Sequence, residues 1–288
     1  MDFVALLMGL CFSIMWSSAF ATGRIIVVDA SPLAVLALRF AISGAIAVAV
    51  ARWRGQSWHL SPAIKRSVLI FGFCQNGLYL GLNFVALQWV EGALASVIAS
   101  AMPLIVAAIG FAQGERLSRL GFGGLVAGFA GVALIMAGRI TQGADVTGVA
   151  LCVIAATALA FATRQVKAVS AGGNLLMVVG LQMLVGSGLL AVAALLVETP
   201  RFHVTPQLVA TLTYQIFIPG LTATMVWFAL VGRVGAIRAS TFHFLNPFFG
   251  VAIAAVLLGE HITVTDIIGV LIAMAGILAV QMARQATR

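Results

Sequence analysis

At 288 residues, 62% hydrophobic and 8% charged, the chain lacks the polar surface of a soluble domain, in which roughly a quarter of residues carry charge. Its 16 Lys and Arg against 8 Asp and Glu give a net charge of +8. These basic residues sit in short loops between apolar runs, so they read as a membrane-topology signal rather than a nucleic-acid surface.

A membrane-crossing helix needs about 20 apolar residues, at a rise of about 1.5 Å each, to cover about 30 Å of hydrocarbon. Polar punctuation divides the chain into ten such runs, near 3–23, 32–52, 66–87, 92–112, 119–138, 147–168, 174–197, 207–230, 235–258 and 264–282. No basic residue precedes the first run, since Arg24 follows it. A cleavable leader is therefore not expected, and the first run should remain as a membrane helix.

Taken in order, span 1 carries Trp16 and Phe20, too far from either end for an interfacial belt, and Trp16 is the strongest candidate for a cavity wall. Span 2 holds Arg39, the one cation within a span. It could bind a solute carboxylate, or hold backbone carbonyls of a neighbouring helix and reach toward the interface. The structural role is the expected one. In span 3, Asn76, Tyr79 and Asn83 follow i, i+3, i+7 spacing and form one stripe, which fits a cavity wall or interhelical hydrogen bonding. Gly77 and Gly81 on a neighbouring face suit close helix packing. Span 4 contains Pro103, which should free the carbonyl of Ala99. Phe161 in span 6 and Trp227 in span 8 are aromatics on helices equivalent to 1 and 3. Gln182 in span 7 carries the same two readings as Arg39. In span 9, His243 and Asn246 fall near mid-membrane, and Pro247 should leave the His243 carbonyl without a helix partner. Both prolines are candidate hinges or kinks. Cys11, Cys74 and Cys152 all lie in apolar runs without C-x-x-C spacing and suit packing.

Ten spans put both termini on one side, with Arg52, Arg54, Lys65, Arg66, Arg116, Arg119, Arg164, Lys167, Arg233, Arg238, Arg284 and Arg288. The other side holds Arg24, Arg139 and Arg201. The basic side is the cytoplasm by the positive-inside rule, which predicts a multi-pass protein of the inner (plasma) membrane with both termini cytoplasmic.

The chain also repeats itself. "GERLSRLGFGGLVAGFAGVA" from Gly114 is answered by "GEHITVTDIIGVLIAMAGIL" from Gly259, and "ALAS" at Ala93–Ser96 by "IRAS" at Ile237–Ser240. Pro103 faces Pro247, and "AFAT" occurs at Ala19–Thr22 and Ala160–Thr163. The expected domains are thus two five-helix repeats, 1–140 and 141–288. Five is odd, so the second must cross the membrane inverted relative to the first. That inversion accounts for Arg116 and Arg119 after the first Gly-Glu, where His261, Thr263 and Asp266 follow the second. Glu115 and Glu260 read as turn residues. The expected fold is an all-α polytopic membrane protein of ten transmembrane helices, and inverted repeats of this kind imply a carrier with a site at the midplane.

The "WSSAF" of Trp16–Phe20 and the doubled "AS…P…GE" pattern resemble the EamA family of the drug/metabolite transporter superfamily. Within it, the sequence is most similar to amino-acid exporters of the YddG type. The resemblance implies export of small metabolites. It also singles out Met102 as a substrate-contact candidate, since some aromatic amino-acid exporters carry an indole just before this proline.

The sequence has no P-loop, no H-E-x-x-H and no acid paired with a Ser and His inside the spans. No enzyme activity, cofactor, metal or nucleic-acid partner is therefore expected, and no carboxylate lies deep in a span to couple transport to protons. The expected function is export of neutral amino acids by alternating access, with lipid and a small solute as partners. The alternatives are export of drugs or other metabolites, and a non-transporting membrane scaffold or lipid-handling protein.

Overall fold

The computed structural model describes residues 2–165 and 174–286. Lys167 and Arg288, two of the basic residues counted above, lie outside this range, as does the expected end of span 6. Ten helices follow in chain order: α1 (Phe3–Asp29), α2 (Pro32–Trp53), α3 (Pro62–Ala86), α4 (Gly92–Ala112), α5 (Arg119–Thr141), α6 (Val146–Gln165), α7 (Leu175–Val197), α8 (Pro206–Val234), α9 (Arg238–Leu258) and α10 (Val264–Ala286). Among the described residues, nine are long and apolar enough to cross a bilayer, and α6 carries a shorter apolar stretch, Val146–Phe161.

Local chemistry sets the helix starts. Ser61 and Thr205 accept from backbone N–H groups three residues on, and each is followed by a proline at the first helical position, where its missing N–H costs nothing. This is why α3 begins four residues before the apolar run suggests. Thr263 and Asp266 cap α10 reciprocally, Thr263 N–H donating to Asp266 Oδ2 at 2.9 Å and Asp266 N–H to Thr263 Oγ1 at 3.2 Å. Helix α1 runs past Arg24 to Asp29. The guanidinium does not end the helix because its Nη1 donates across to the Leu87 carbonyl at the end of α3.

Packing reveals the inversion. Along α5, Gly121 faces Ala283, Gly124 faces Ala279, Gly131 faces Ala273 and Gly138 faces Thr265, so rising numbers in one helix meet falling numbers in the other. The helices α5 and α10 are antiparallel, and Gly114 and Gly259, which precede them, lie at opposite ends of the bundle. A Cβ added at Gly131 would sit 2.5 Å from Ala273 N and 2.6 Å from Gly269 O, so this contact is backbone against backbone. The pair α2 and α7 is antiparallel in the same way: Ser187 donates to Ala37 O at 2.8 Å, and Ser57 N–H to Asn174 Oδ1 at 2.8 Å.

The remaining contacts repeat under exchange of halves. Helix α1 packs on α8 and α9, and its counterpart α6 packs on α3 and α4. Helices α4 and α9 meet each other. The molecule is two five-helix repeats of inverted topology. Loops following odd-numbered helices gather at one end, and the start of α1 with the described loops after α2, α4 and α8 gathers at the other. Apolar side chains such as Leu195, Leu196, Val256 and Leu271 are more than half exposed on the outside of the bundle, as a lipid-solvated surface requires.

Candidate functional site

Four helices depart from α geometry near mid-length, in two symmetry-related pairs. In α3 a π segment spans Gly72–Tyr79, and in α8 another spans Ile216–Thr222; each begins ten residues after the helix's first proline. Helix α4 is interrupted at Ala101, before Pro103. In α9 a 3-10 turn, Thr241–Leu245, precedes Asn246 and Pro247. Prolines explain the α4, α8 and α9 breaks, since each removes a ladder donor. Irregular backbone at membrane depth persists only where protein or a cavity surrounds it.

The α9 break is repaired from inside. The 3-10 turn lets Asn246 N–H reach the His243 carbonyl, so this carbonyl is not the free acceptor the sequence suggested. Ser13 and Ser17 of α1 donate to the carbonyls of Phe242 (3.0 Å) and Asn246 (3.3 Å). At the α4 break the Ala101 N–H donates to the Ile98 carbonyl at 3.1 Å.

Two adjoining chambers lie at the breaks. A central chamber with a cavity volume of about 30 Å3 is lined by Trp16, Phe20 and Tyr79 with Ser96, Ser100, Met102 and Pro103 of α4, Leu159 of α6, and His243 and Asn246 of α9. A second, also of about 30 Å3, shares the wall of Trp16, Phe20 and Tyr79 and adds Arg39, Asn83, Phe84, Leu87 and Pro219. It lies toward the odd-loop end, where Leu87 closes α3. Trp16, Tyr79, Asn83, Met102, Pro103, His243 and Asn246 are thus brought together as chamber walls.

The other candidates lie elsewhere. Asn76 turns to α7 and donates to the Gln182 carbonyl at 2.9 Å, because the wider winding of the π segment breaks the phase of the stripe expected with Tyr79 and Asn83. Gln182 meets α3 through that backbone oxygen. Trp227 packs on Phe12 (centroids 4.7 Å apart) and His243 (5.0 Å), behind the chamber. Phe161 is half exposed on the bundle surface. Pro247 is buried beside the chamber. Sequence reasoning did not single out Ser96, Ser100, Leu159, Phe84, Leu87 or Pro219. Only Pro219 had a local signal, a proline inside an apolar run.

The chambers contain unmatched polar atoms. Asn83 donates to Tyr79 O at 2.7 Å, but its Oδ1 has no donor; Asn246 pairs with His243 Nδ1 at 3.1 Å, but its Oδ1 has none either. Ser96 Oγ and Arg39 Nε and Nη1 are buried without hydrogen-bond partners. Nothing holds the Arg39 guanidinium through these two nitrogens, contrary to the backbone-carbonyl role expected for it; its charge rests over the Phe40 ring at 5.3 Å.

The odd-loop end is closed by ionic contacts between the repeats. Arg139, at the end of α5, binds Asp266 through Nε (3.1 Å) and Nη2 (2.8 Å), the His261 carbonyl at 3.0 Å, and the Glu91 carboxylate. Glu260 is more than a turn residue: its two oxygens accept from Gly92 N–H (2.8 Å) and Ala93 N–H (3.0 Å) at the start of α4. Glu198 does the same for Leu33 and Ala34 at the start of α2, at 3.0 and 3.1 Å. Both carboxylates satisfy orphan amides and oppose the positive end of a helix dipole. Burial raises the Glu260 pKa above its usual value, against the lowering effect of the two amides.

Inverted halves enclosing a chamber at the level of broken helices define a membrane carrier. The EamA-like transporter family model matches residues 3–137 and again 146–282, and the chain belongs to that family. It is 26% identical to an uncharacterized transporter, YvbV, of Bacillus subtilis, over 92% of this chain and 87% of that one. It is 24% identical to a WAT1-related chloroplastic protein of Arabidopsis thaliana over 91% of this chain and 66% of that one. A probable amino-acid metabolite efflux pump of Salmonella typhimurium is 26% identical over 75% of this chain and 77% of its own length. A crystal structure matched over the full length of both chains, with a TM-score of 0.66 at 21% identity, shares the fold.

Proposed function

We propose that the protein exports neutral amino acids across the inner membrane by alternating access, with residues 1–140 and 141–288 as the two moving repeats. The observation that carries this reading is the central chamber, walled by α1, α3 and α4 of one repeat and α6 and α9 of the other. Only a site shared by both halves changes its access when one half rocks against the other. The family membership and the efflux-pump relative support the direction and solute class. Among the described residues lining the chambers none is acidic, which leaves a cationic side chain without a partner and favours a neutral one.

The excess of basic residues beside the even-numbered loops supports a cytoplasmic placement of that end. A cysteine replacing exposed Arg54 should then label only from inside and one replacing exposed Arg201 only from outside. The lack of a chamber carboxylate favours exchange or downhill movement. Accumulation that appears only under an imposed pH gradient would overturn that part.

The direct test is counterflow of radiolabelled amino acids in proteoliposomes. Trp16→Ala should lower the rate about tenfold, the scale of one lost aromatic wall. Flux of other metabolites but no amino acid would favour the broader exporter reading. No flux of any solute would favour a scaffold.

A further inference from the structure

A buried arginine in a membrane protein almost always has a partner, because an uncompensated charge in low dielectric is costly. Arg39 is 4% exposed, and its Nε and Nη1 have none. Three neutral neighbours lie beside it. The Phe40 ring lies beneath its charge. Gly220 of α8 brings backbone close enough that a Cβ there would lie 3.8 Å from Arg39 Nη2. Ser43 Oγ, one turn on, is itself buried without a partner. The arginine cannot escape the problem by losing its proton, since the guanidinium stays charged in proteins. Yet it lines the second chamber, of about 30 Å3, together with Asn83, a residue 1% exposed whose Oδ1 is a buried acceptor lacking a donor. Two residues lining the chamber thus carry unmatched polar atoms, donors on Arg39 and an acceptor on Asn83, and they share the lining with the apolar side chains of Trp16, Phe20, Phe84 and Leu87.

We propose that this second chamber is a headgroup site for an α-amino acid: the Arg39 guanidinium receives the carboxylate, Asn83 Oδ1 accepts from the ammonium, and the side chain packs on the Trp16–Tyr79 wall. This rests on the amino-acid reading and names the groups that would recognise one. A guanidinium presents two parallel N–H bonds to a carboxylate, and Nε with an Nη is one of the edges able to do so. The Nε–H shares its edge with Nη2, as in the Arg139–Asp266 pair, so the unpartnered Nε and Nη1 of Arg39 lie on two different edges, each completed by Nη2. An amide oxygen accepts from ammonium without the net charge that would trap it, so a solute held here can also leave. The same arrangement explains why the protein tolerates an unpaired charge: the missing partner arrives with each solute.

The test uses the purified full chain in liposomes. Counterflow is measured with phenylalanine and leucine, each compared with its amide, its decarboxylated amine and its deaminated acid. Wild type should exchange the amino acid about tenfold faster than its amide or amine, the scale of one charge-assisted pair. Arg39→Met should lose that preference. The same variant, without solute, should melt at a higher temperature than wild type, because it removes an uncompensated buried charge. A purely structural arginine predicts the reverse, a lower melting temperature. Arg39→Lys should restore part of the preference, having the charge without the fork. Asn83→Leu should slow the amino acid while sparing the deaminated acid.

If Arg39→Met and Arg39→Lys both exchange amino acids with wild-type preference, the assignment of Arg39 is overturned while the amino-acid reading stands. If wild type carries the deaminated acid in an Arg39-dependent way but not the amino acid, the guanidinium–carboxylate contact stands and the amino-acid reading falls. Wild-type exchange that ignores the carboxylate altogether overturns the site.

Discussion

Arg139 and Asp266 at the odd-loop end are as buried as the polar residues of the chambers, while Glu91, Glu198 and Glu260 at the same end are half-buried. The two regions differ in how their polar groups are matched. At the closed end each has its partner: Arg139 binds two carboxylates and a carbonyl, while Glu260 and Glu198 each cover a pair of helix amides. In the chambers Arg39, Asn83, Ser96 and Asn246 each leave at least one polar atom unmatched. A satisfied buried group holds structure together, and an unsatisfied one costs stability until something binds it. The two regions thus separate satisfied contacts that close the bundle from unmatched groups on residues lining the chambers, which the proposed function assigns to a solute.

The sharpest way to break this comparison is at Arg139. Arg139→Ala leaves Asp266, 2% exposed, as a buried carboxylate with only its cap for company. Removing one partner of such a pair costs about 3–5 kcal/mol, and the variant should show a large fall in melting temperature. A change as small as a surface pair gives would mean that water reaches this end.

A smaller, pH-dependent effect is expected at Glu260, which faces Glu91 and Arg139 and the amides of α4. Because its pKa is raised in the folded protein, the folded state holds the proton more tightly than the unfolded one above the ordinary carboxylate value. Stability from this source is present at low pH and declines as pH rises through the raised pKa. Melting temperature measured against pH should show that decline in wild type and lose it in Glu260→Gln.

Smaller still is Ser96→Ala in the central chamber. Its Oγ has no partner to lose, so thermal stability should hold or rise slightly, while counterflow slows. Least of all, Phe161→Ala should leave transport unchanged, since this ring sits on the lipid-facing surface. A loss of transport there would place α6 differently in the working protein.

The spans were legible because lipid demands unbroken apolar runs, and the inversion because the repeat is written twice with five helices in each copy. Helix faces were harder to read. Helices that are apolar nearly all round give no stripe to orient them, so Phe161 could not be told from Trp16 by pattern alone. The π segment of α3 has no proline to announce it, and it separates Asn76 from Tyr79 and Asn83. Nor could residue types show that Glu260 and Glu198 cap helices more than 160 positions away, or that Arg39 meets no carboxylate. Those are properties of distant neighbours.

The glycine seam between α5 and α10 has a mechanical consequence. With Gly124, Gly131, Gly269 and Gly276 bringing the two backbones together, the crossing contains almost no rotatable side chains that would have to repack during a swing. In the alternating-access reading proposed above, such a joint would serve as a fulcrum: small angular displacements there would become larger openings at the far ends of the levers, while lipid tails would find no gap to enter.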